Sequence, residues 1–498
     1  MIRRIASWSL TLGLVVAVMA GGWYFAPQVS GAFGWLRVGS APQAQTVESA
    51  AADLTLVCPG AAIRSGGANG TKVGSFDRLG QAVVDYSASL PEGTTLQRTE
   101  LRGQTGEPSA LEAIGGKLSA TAAPTAIALR VLDPNHVAEQ SSNLLTATNY
   151  QMVGGSGVAM AGLLGAACQH PTGELTIVGA DTSTGREALL LIANPSAVDL
   201  QVSVTAIAST ATQGENIVTV AANQSIVFPV ASLAASEQLV ALKLKSNGSP
   251  FAAWVQQKTV RGTTAAGIDF ISPVSTPSRN LVIPGFYKRG TSDASALIRA
   301  NSNYADLTPA IALCNPSSQS ATATVQVIGA DSQALGTVLQ NQLAAGVCTL
   351  SPLTGLKDGN YAVFIHSDQP ISAALRLSRT DKTKTPITDF AWLTATSADA
   401  SARSIVVPKS GISKLAIANP GNAPVVATVT NLTDGKTAQL SIGALNSATV
   451  EATPGSVLRL TSVGKVAASL VVDIDGQLSV IPLGNYANRS GSLTLENR

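Results

Sequence analysis

Three times this chain runs an apolar strand into Asn-Pro and a small residue, and that recurrence restricts the fold more than any other feature. The copies are Leu189-Leu-Leu-Ile-Ala-Asn194-Pro195-Ser, Ile311-Ala-Leu-Cys-Asn315-Pro316-Ser and Leu415-Ala-Ile-Ala-Asn419-Pro420-Gly. Proline has no N–H to give a ladder and fixes φ, while asparagine bonds its own backbone in turns, so each motif ends a strand. We therefore read Asn194, Pro195, Asn315, Pro316, Asn419 and Pro420 as structural turn residues. A strand with alternating apolar residues follows each copy: Leu200, Val202, Val204 and Ala206; Val325 and Val327; Val425, Ala427 and Val429.

The correspondence continues downstream. From the motif proline to the next turn residue the distances are 55, 54 and 56 positions (195 to 250, 316 to 370, 420 to 476). That spacing reads as one hairpin recurring in every copy. Leu281-Val-Ile-Pro284 and Ile405-Val-Val-Pro408 open copies two and three, and Asp269-Phe270 and Asp389-Phe390 close copies one and two. Leu54-Thr-Leu-Val-Cys-Pro59 resembles the same opening, ahead of a β-patterned segment that lacks Asn-Pro. The 498 residues correspond to three or four domains at about 100–200 residues each. We expect an anchor and tether over 1–46, a divergent β-domain over 47–165, and Ig-like repeats over 166–275, 276–400 and 401–498. The expected fold class is all-β, tandem Ig-like β-sandwich domains behind a single N-terminal transmembrane helix.

The anchor is read from Ile5–Phe25, an apolar run that follows Arg3 and Arg4 and precedes the next charge at Arg37. As a helix it would extend roughly 31 Å, about one hydrocarbon core. The two arginines place the N-terminus in the cytoplasm, and Trp8, Trp23, Tyr24 and Phe25 stand where interfacial aromatics belong. The rival reading is a signal peptide cleaved near Ser30-Gly31-Ala32. Either way the rest of the chain is exported. In an exported chain the even set Cys58, Cys168, Cys314 and Cys348 favours disulfides. Order and spacing point to Cys58–Cys168 and Cys314–Cys348, among three possible connectivities.

Charge is sparse: Lys+Arg 32 against Asp+Glu 30, with only 12% charged residues. That balance gives no electrostatic footprint for nucleic acid. Three histidines, His136, His170 and His366, and no Cys-x-x-Cys pair leave little for a metal, so no metal or cofactor is expected. No Gly-x-Ser-x-Gly elbow occurs. Gly435-Lys436-Thr437 ends like a phosphate loop, but Thr430 stands where its first glycine is required. Ser462 and Lys465 have Ser-x-x-Lys spacing without the partner motifs. Asp473-Ile-Asp475-Gly476 reads as a turn rather than a calcium loop. His366 reads as an exposed strand-end residue, and Trp254 and Trp392 as core rings rather than sugar platforms.

The anchor, the Val-Cys-Pro opening, a later cysteine ahead of a Gly-containing strand, and Gly185-Arg186 leading into Leu-Leu-Leu-Ile-Ala-Asn-Pro together resemble an actinobacterial secreted family. It is the domain-of-unknown-function family numbered 5719. The resemblance is strongest over residues 50–275. It implies a cell-surface protein, often encoded among glycosyltransferases for envelope polysaccharide, and implies no catalytic residues. The expectation is a non-catalytic, single-pass cell-surface scaffold or accessory protein of envelope assembly that binds a glycan or a membrane partner. An adhesin on the same anchor is the first alternative, and a cryptic envelope enzyme using a carboxylate pair the second.

Overall fold

Leu189-Leu-Leu-Ile-Ala193 is apolar at every position, not every second one, because both faces of its strand are covered. Leu190 and Ile192 enter one core and Leu189, Leu191 and Ala193 another. A strand buried on both faces reads as an unbroken apolar run. This two-sidedness governs the architecture of the protein, described here from a computed structural model. It covers residues 45–48, 54–66, 76–90, 92–102, 109–111, 118–132, 145–154, 160–329, 334–380, 388–396, 398–484 and 492–495. The expected anchor helix and most of its tether lie outside these residues. Among the described residues no helix is long and apolar enough to cross a membrane.

The fold is all-β. Each unit is two four-stranded antiparallel sheets face to face. In repeat 1, Glu174–Ala180, Val240–Ser246, Leu200–Ile207 and Thr212–Val220 form one sheet. Thr264–Ile271, Ala252–Arg261, Arg186–Asn194 and Gln224–Pro229 form the other. The divergent unit has the same connectivity without the Asn-Pro motif, so it is a fourth copy by topology. Its last strand, Gly162–Ala167, pairs wholly with Leu145–Val153 and straddles the 165/166 boundary drawn from sequence. The strands Gln45–Glu48 and Ser492–Leu495 pair with each other in a separate unit.

Residues 53–488 form one compact body, in which the four sandwiches close into a ring. One strand of each unit lies at the centre: Gly162–Ala167, Thr264–Ile271, Thr388–Thr394 and Gln477–Pro482. Each packs on the next, and the last packs on the first. Two carboxyl groups tie this hub. Asp389 accepts backbone N–H bonds from Leu163 (3.1 Å), Ile268 (3.3 Å) and Leu478 (3.0 Å), one from each of the other central strands. Asp269 accepts from the Trp392 N–H (3.0 Å) and the Ser479 hydroxyl (3.2 Å). Such close approach requires glycine: a Cβ on Gly162 would sit 2.6 Å from Asp389 Oδ1, and one on Gly267 2.9 Å from it.

The structure corrects the hairpin reading. Pro250 and Pro370 lie where the chain leaves one sheet of the sandwich for the other. In repeat 2 a single strand, Gly359–Thr380, runs through both sheets. Gly476, by contrast, turns a true hairpin between Ala467–Ile474 and Gln477–Pro482. Its counterpart in repeat 1 is the turn at Gly262, so the third distance of 56 aligned two different turns.

Candidate functional site

The Asn-Pro motifs resolve into one repeated corner. Asn194 Nδ2 donates to the carbonyls of Val198, Val220 and Ala221 at 2.8, 3.0 and 3.1 Å. Asn315 does the same to Gln319, Leu343 and Ala344, and Asn419 to Ala423, Ile442 and Gly443. Each Oδ1 accepts the N–H two residues on, at Ser196, Ser317 and Gly421. All three asparagines are fully buried. The side chain satisfies backbone groups that the proline turn leaves unpaired in the interior.

Strand register places a second recurring group. Arg130, Lys245, His366 and Arg459 stand at one equivalent position, opposite Thr55, Glu174, Asn280 and Ser404 on the opening strand of their units. In the divergent unit, Arg130 crosses the junction and donates to the Pro195 carbonyl of repeat 1's Asn-Pro corner. The same junction carries a Ser225 N–H bond to the Leu101 carbonyl (3.1 Å). Between repeats 1 and 2, the Cys348 N–H reaches the Ala208 carbonyl (2.9 Å). Between repeat 3 and the divergent unit, the Thr146 and Thr148 hydroxyls donate to the carbonyls of Ser404 and Val406.

At the junction of repeats 2 and 3 the shorter imidazole of His366 stays in its own sheet, where Nδ1 donates to Asn280 Oδ1 (2.8 Å). There a groove of about 1000 Å³ remains, and it is our candidate site. Its repeat 2 wall is polar. Asn280, His366 and Thr324 pair side by side across three strands, with Gln326 beside them. Period-2 alternation sends Val325 and Val327 to the core and Thr324 and Gln326 to the groove. The repeat 3 wall is mainly apolar: Pro420, Ala423, Pro424, Val425 and Val426, with Asn422 among them and Leu445 and Val463 at the rim. Val463 is 88% exposed and Leu445 39%, an unusual amount of aliphatic surface to leave in water. Lys465 is the one formally charged residue in the described lining. Val282, Phe364, Ala418 and Ala467 pack as an apolar plug beneath.

The other residues singled out from sequence fall elsewhere. Trp254 and Trp392 are core rings, the latter against Gly179. Gly435 turns with φ 75°, and Lys436 pairs with Asp434 (3.3 Å). The Ser462 hydroxyl donates to the Gly464 carbonyl (2.6 Å). Asp473 pairs with Arg379 (2.9 Å), and Asp475 sits in the hairpin turn with φ 51°. No cluster able to hold a metal occurs among the described residues. A carboxylate pair does exist, Asp269 and Asp389, but it is enclosed in the hub. Burial pushes the Asp389 carboxyl up to about 7 and holds Asp269 well above the usual range, with the neighbouring Asp389 charge adding to the latter.

The cysteines join as Cys58–Cys168 and Cys314–Cys348. Two disulfides suit an oxidising, extracytoplasmic setting. The family of unknown function DUF5719 matches residues 121–476, more than half of the chain. The protein belongs to that family. Its matched span ends at the Gly476 hairpin turn and takes in all three Asn-Pro corners. No curated protein matches the sequence. Among solved structures, a tetra-tandem repeat from the extending region of a large adhesion protein is similar at 11% identity and a TM-score of 0.10. It covers 78% of this chain and 90% of its own.

Proposed function

We propose that this DUF5719 protein is a non-catalytic cell-surface scaffold or accessory protein of envelope polysaccharide assembly, held at the membrane by residues 5–25. It engages its envelope partner through the groove between repeats 2 and 3. The groove is the observation that carries the reading. Hydrogen bonds bridge the other three junctions of the ring, whereas among the described residues this one keeps a mainly apolar concavity with a few convergent polar groups, the form binding sites take. The disulfides and the family membership support the extracytoplasmic placement.

The test is a photo-crosslinker at position 463, on the groove rim, in living cells. Recovery of an envelope protein or an envelope polysaccharide supports the reading. Adducts confined to cytoplasmic proteins, or none above those formed by a probe at the distant exposed Ile217, overturn it.

A further inference from the structure

We infer that the groove binds a short saccharide segment carrying an acidic sugar, which rests on the groove being the working site. The walls offer little to a peptide backbone. Of the strands that line it, Ala321–Gly329, the first half of Gly359–Thr380 and Val425–Asn431 have partners on both edges, and the edge strand Ser278–Lys288 is met on its outer side at Val282 by Thr396. An extended peptide recognised by strand addition needs a free edge. Recognition here runs through side chains.

Those side chains suit a polyhydroxyl ligand. Asn280, His366 and Thr324 form a row at the inter-strand pitch of about 4.8 Å, close to the length of one pyranose ring, and Gln326 adds a second amide. Amides, a hydroxyl and an imidazole both donate and accept, as sugar hydroxyls do. Opposite them Pro424, Val426 and Val463 present the aliphatic surface that the C–H face of a sugar ring covers. A purely apolar ligand would leave the polar row desolvated and unpaired, at a cost. Charge sets the last element. Lys465 lines the groove and no carboxylate does among the described residues, so an acidic sugar gains an attraction that a cationic ligand loses.

The experiment titrates the purified full chain with trigalacturonate and with maltotriose, following binding by calorimetry in low salt and in 0.5 M salt (about a 4–5 Å screening length). Trigalacturonate should bind more tightly than maltotriose, and salt should weaken only the former. Lys465→Gln should lower trigalacturonate affinity about fivefold, as an exposed charge contact allows, and leave maltotriose unchanged. Thr324→Val with Gln326→Leu should weaken both. Equal binding of the two probes, or a Lys465→Gln variant with unchanged trigalacturonate affinity, overturns the acidic element. Failure of both saccharides to bind overturns the inference outright. If the crosslinker at 463 then still captures an envelope protein, the binding-surface reading stands without the saccharide.

Discussion

Two junctions of the ring have the same parts and opposite outcomes. Between the divergent unit and repeat 1, a basic side chain at one register position spans to the Asn-Pro corner of the next unit and closes the gap. Between repeats 2 and 3 the corner is the same, with the same three carbonyls on its asparagine, but the basic position holds His366, which turns to Asn280. Reach decides the difference. The guanidinium stands on a longer stem than the imidazole and spreads five donors in a fork, so it can bridge where a ring held in its own sheet cannot. A groove and a missing clasp thus coincide at this junction, on a scaffold that is otherwise repeated.

The largest test of that contrast concerns covalent support. Cys58 ends the strand that faces the closed junction, and Cys168 follows the central strand of the same unit. Its bridge spans 110 residues against 34 for Cys314–Cys348. In the chain-entropy treatment removing the first costs about 5 kcal/mol and removing the second about 4 kcal/mol. Denaturant unfolding of Cys58→Ala/Cys168→Ala and Cys314→Ala/Cys348→Ala proteins checks the order. Reversal would mean that the closed junction does not depend on its bridge.

The hub is shared by both junctions and supplies a pH test. Burial raises the Asp389 carboxyl from its ordinary value to about 7, so the folded state holds a proton that the unfolded chain releases near pH 4. The sign follows from linkage. The contribution is full below pH 4, declines as pH rises, and is gone above about 7, for a change on the order of a few kcal/mol. Thermal unfolding between pH 4 and 9 should show the loss, and Asp389→Asn should lessen it, leaving the part that the buried Asp269 contributes. A stability that rises from pH 4 to 7 would contradict the assignment.

Next in size are the corners. Asn194→Ala and Asn419→Ala each strand buried carbonyls and should cost on the order of 3 kcal/mol. Equal losses, read from urea midpoints, would show the corner to be indifferent to whether its junction is bridged. A much milder Asn419→Ala would show that the groove-side loop relaxes. The smallest change tests the contrast most directly. His366→Arg restores the residue type of the closed junction and should add about 1 kcal/mol of stability while abolishing saccharide binding. A His366→Arg protein that binds as before would mean that residue identity at this position does not open the groove.

What the sequence disclosed was local. The Asn-Pro motif declares a strand end because proline and asparagine act within a few residues, and the alternation after it declares a strand face. Two of the three carbonyls that each asparagine collects come from a second turn more than 20 positions on, so the reason for the motif was not legible in it. The 55, 54 and 56 spacing misled for a related reason: turns between sheets and turns within a sheet use the same residues. The unbroken apolar run at Leu189–Ala193 was a signal for sheets covered on both sides, and through them for the ring. In the sequence His366 reads only as an exposed strand-end histidine. Its significance depends on Arg130, more than 200 residues away, and on a register that only the pairing reveals.

The Asp389 carboxyl has one further consequence, for the order in which the chain can be built. Its partners arrive at different times: Leu163 lies 226 residues before it, and Leu478 89 residues after. During synthesis the acid is therefore made with only part of its shell available, and the circle stays open until the last sandwich has emerged. Contacts so distant in sequence make for slow folding. Until closure Leu163 and Ala167 of the divergent unit lack the repeat 3 side chains, such as Leu470 and Ile481, that share their core, which makes the nascent chain a natural client for a chaperone.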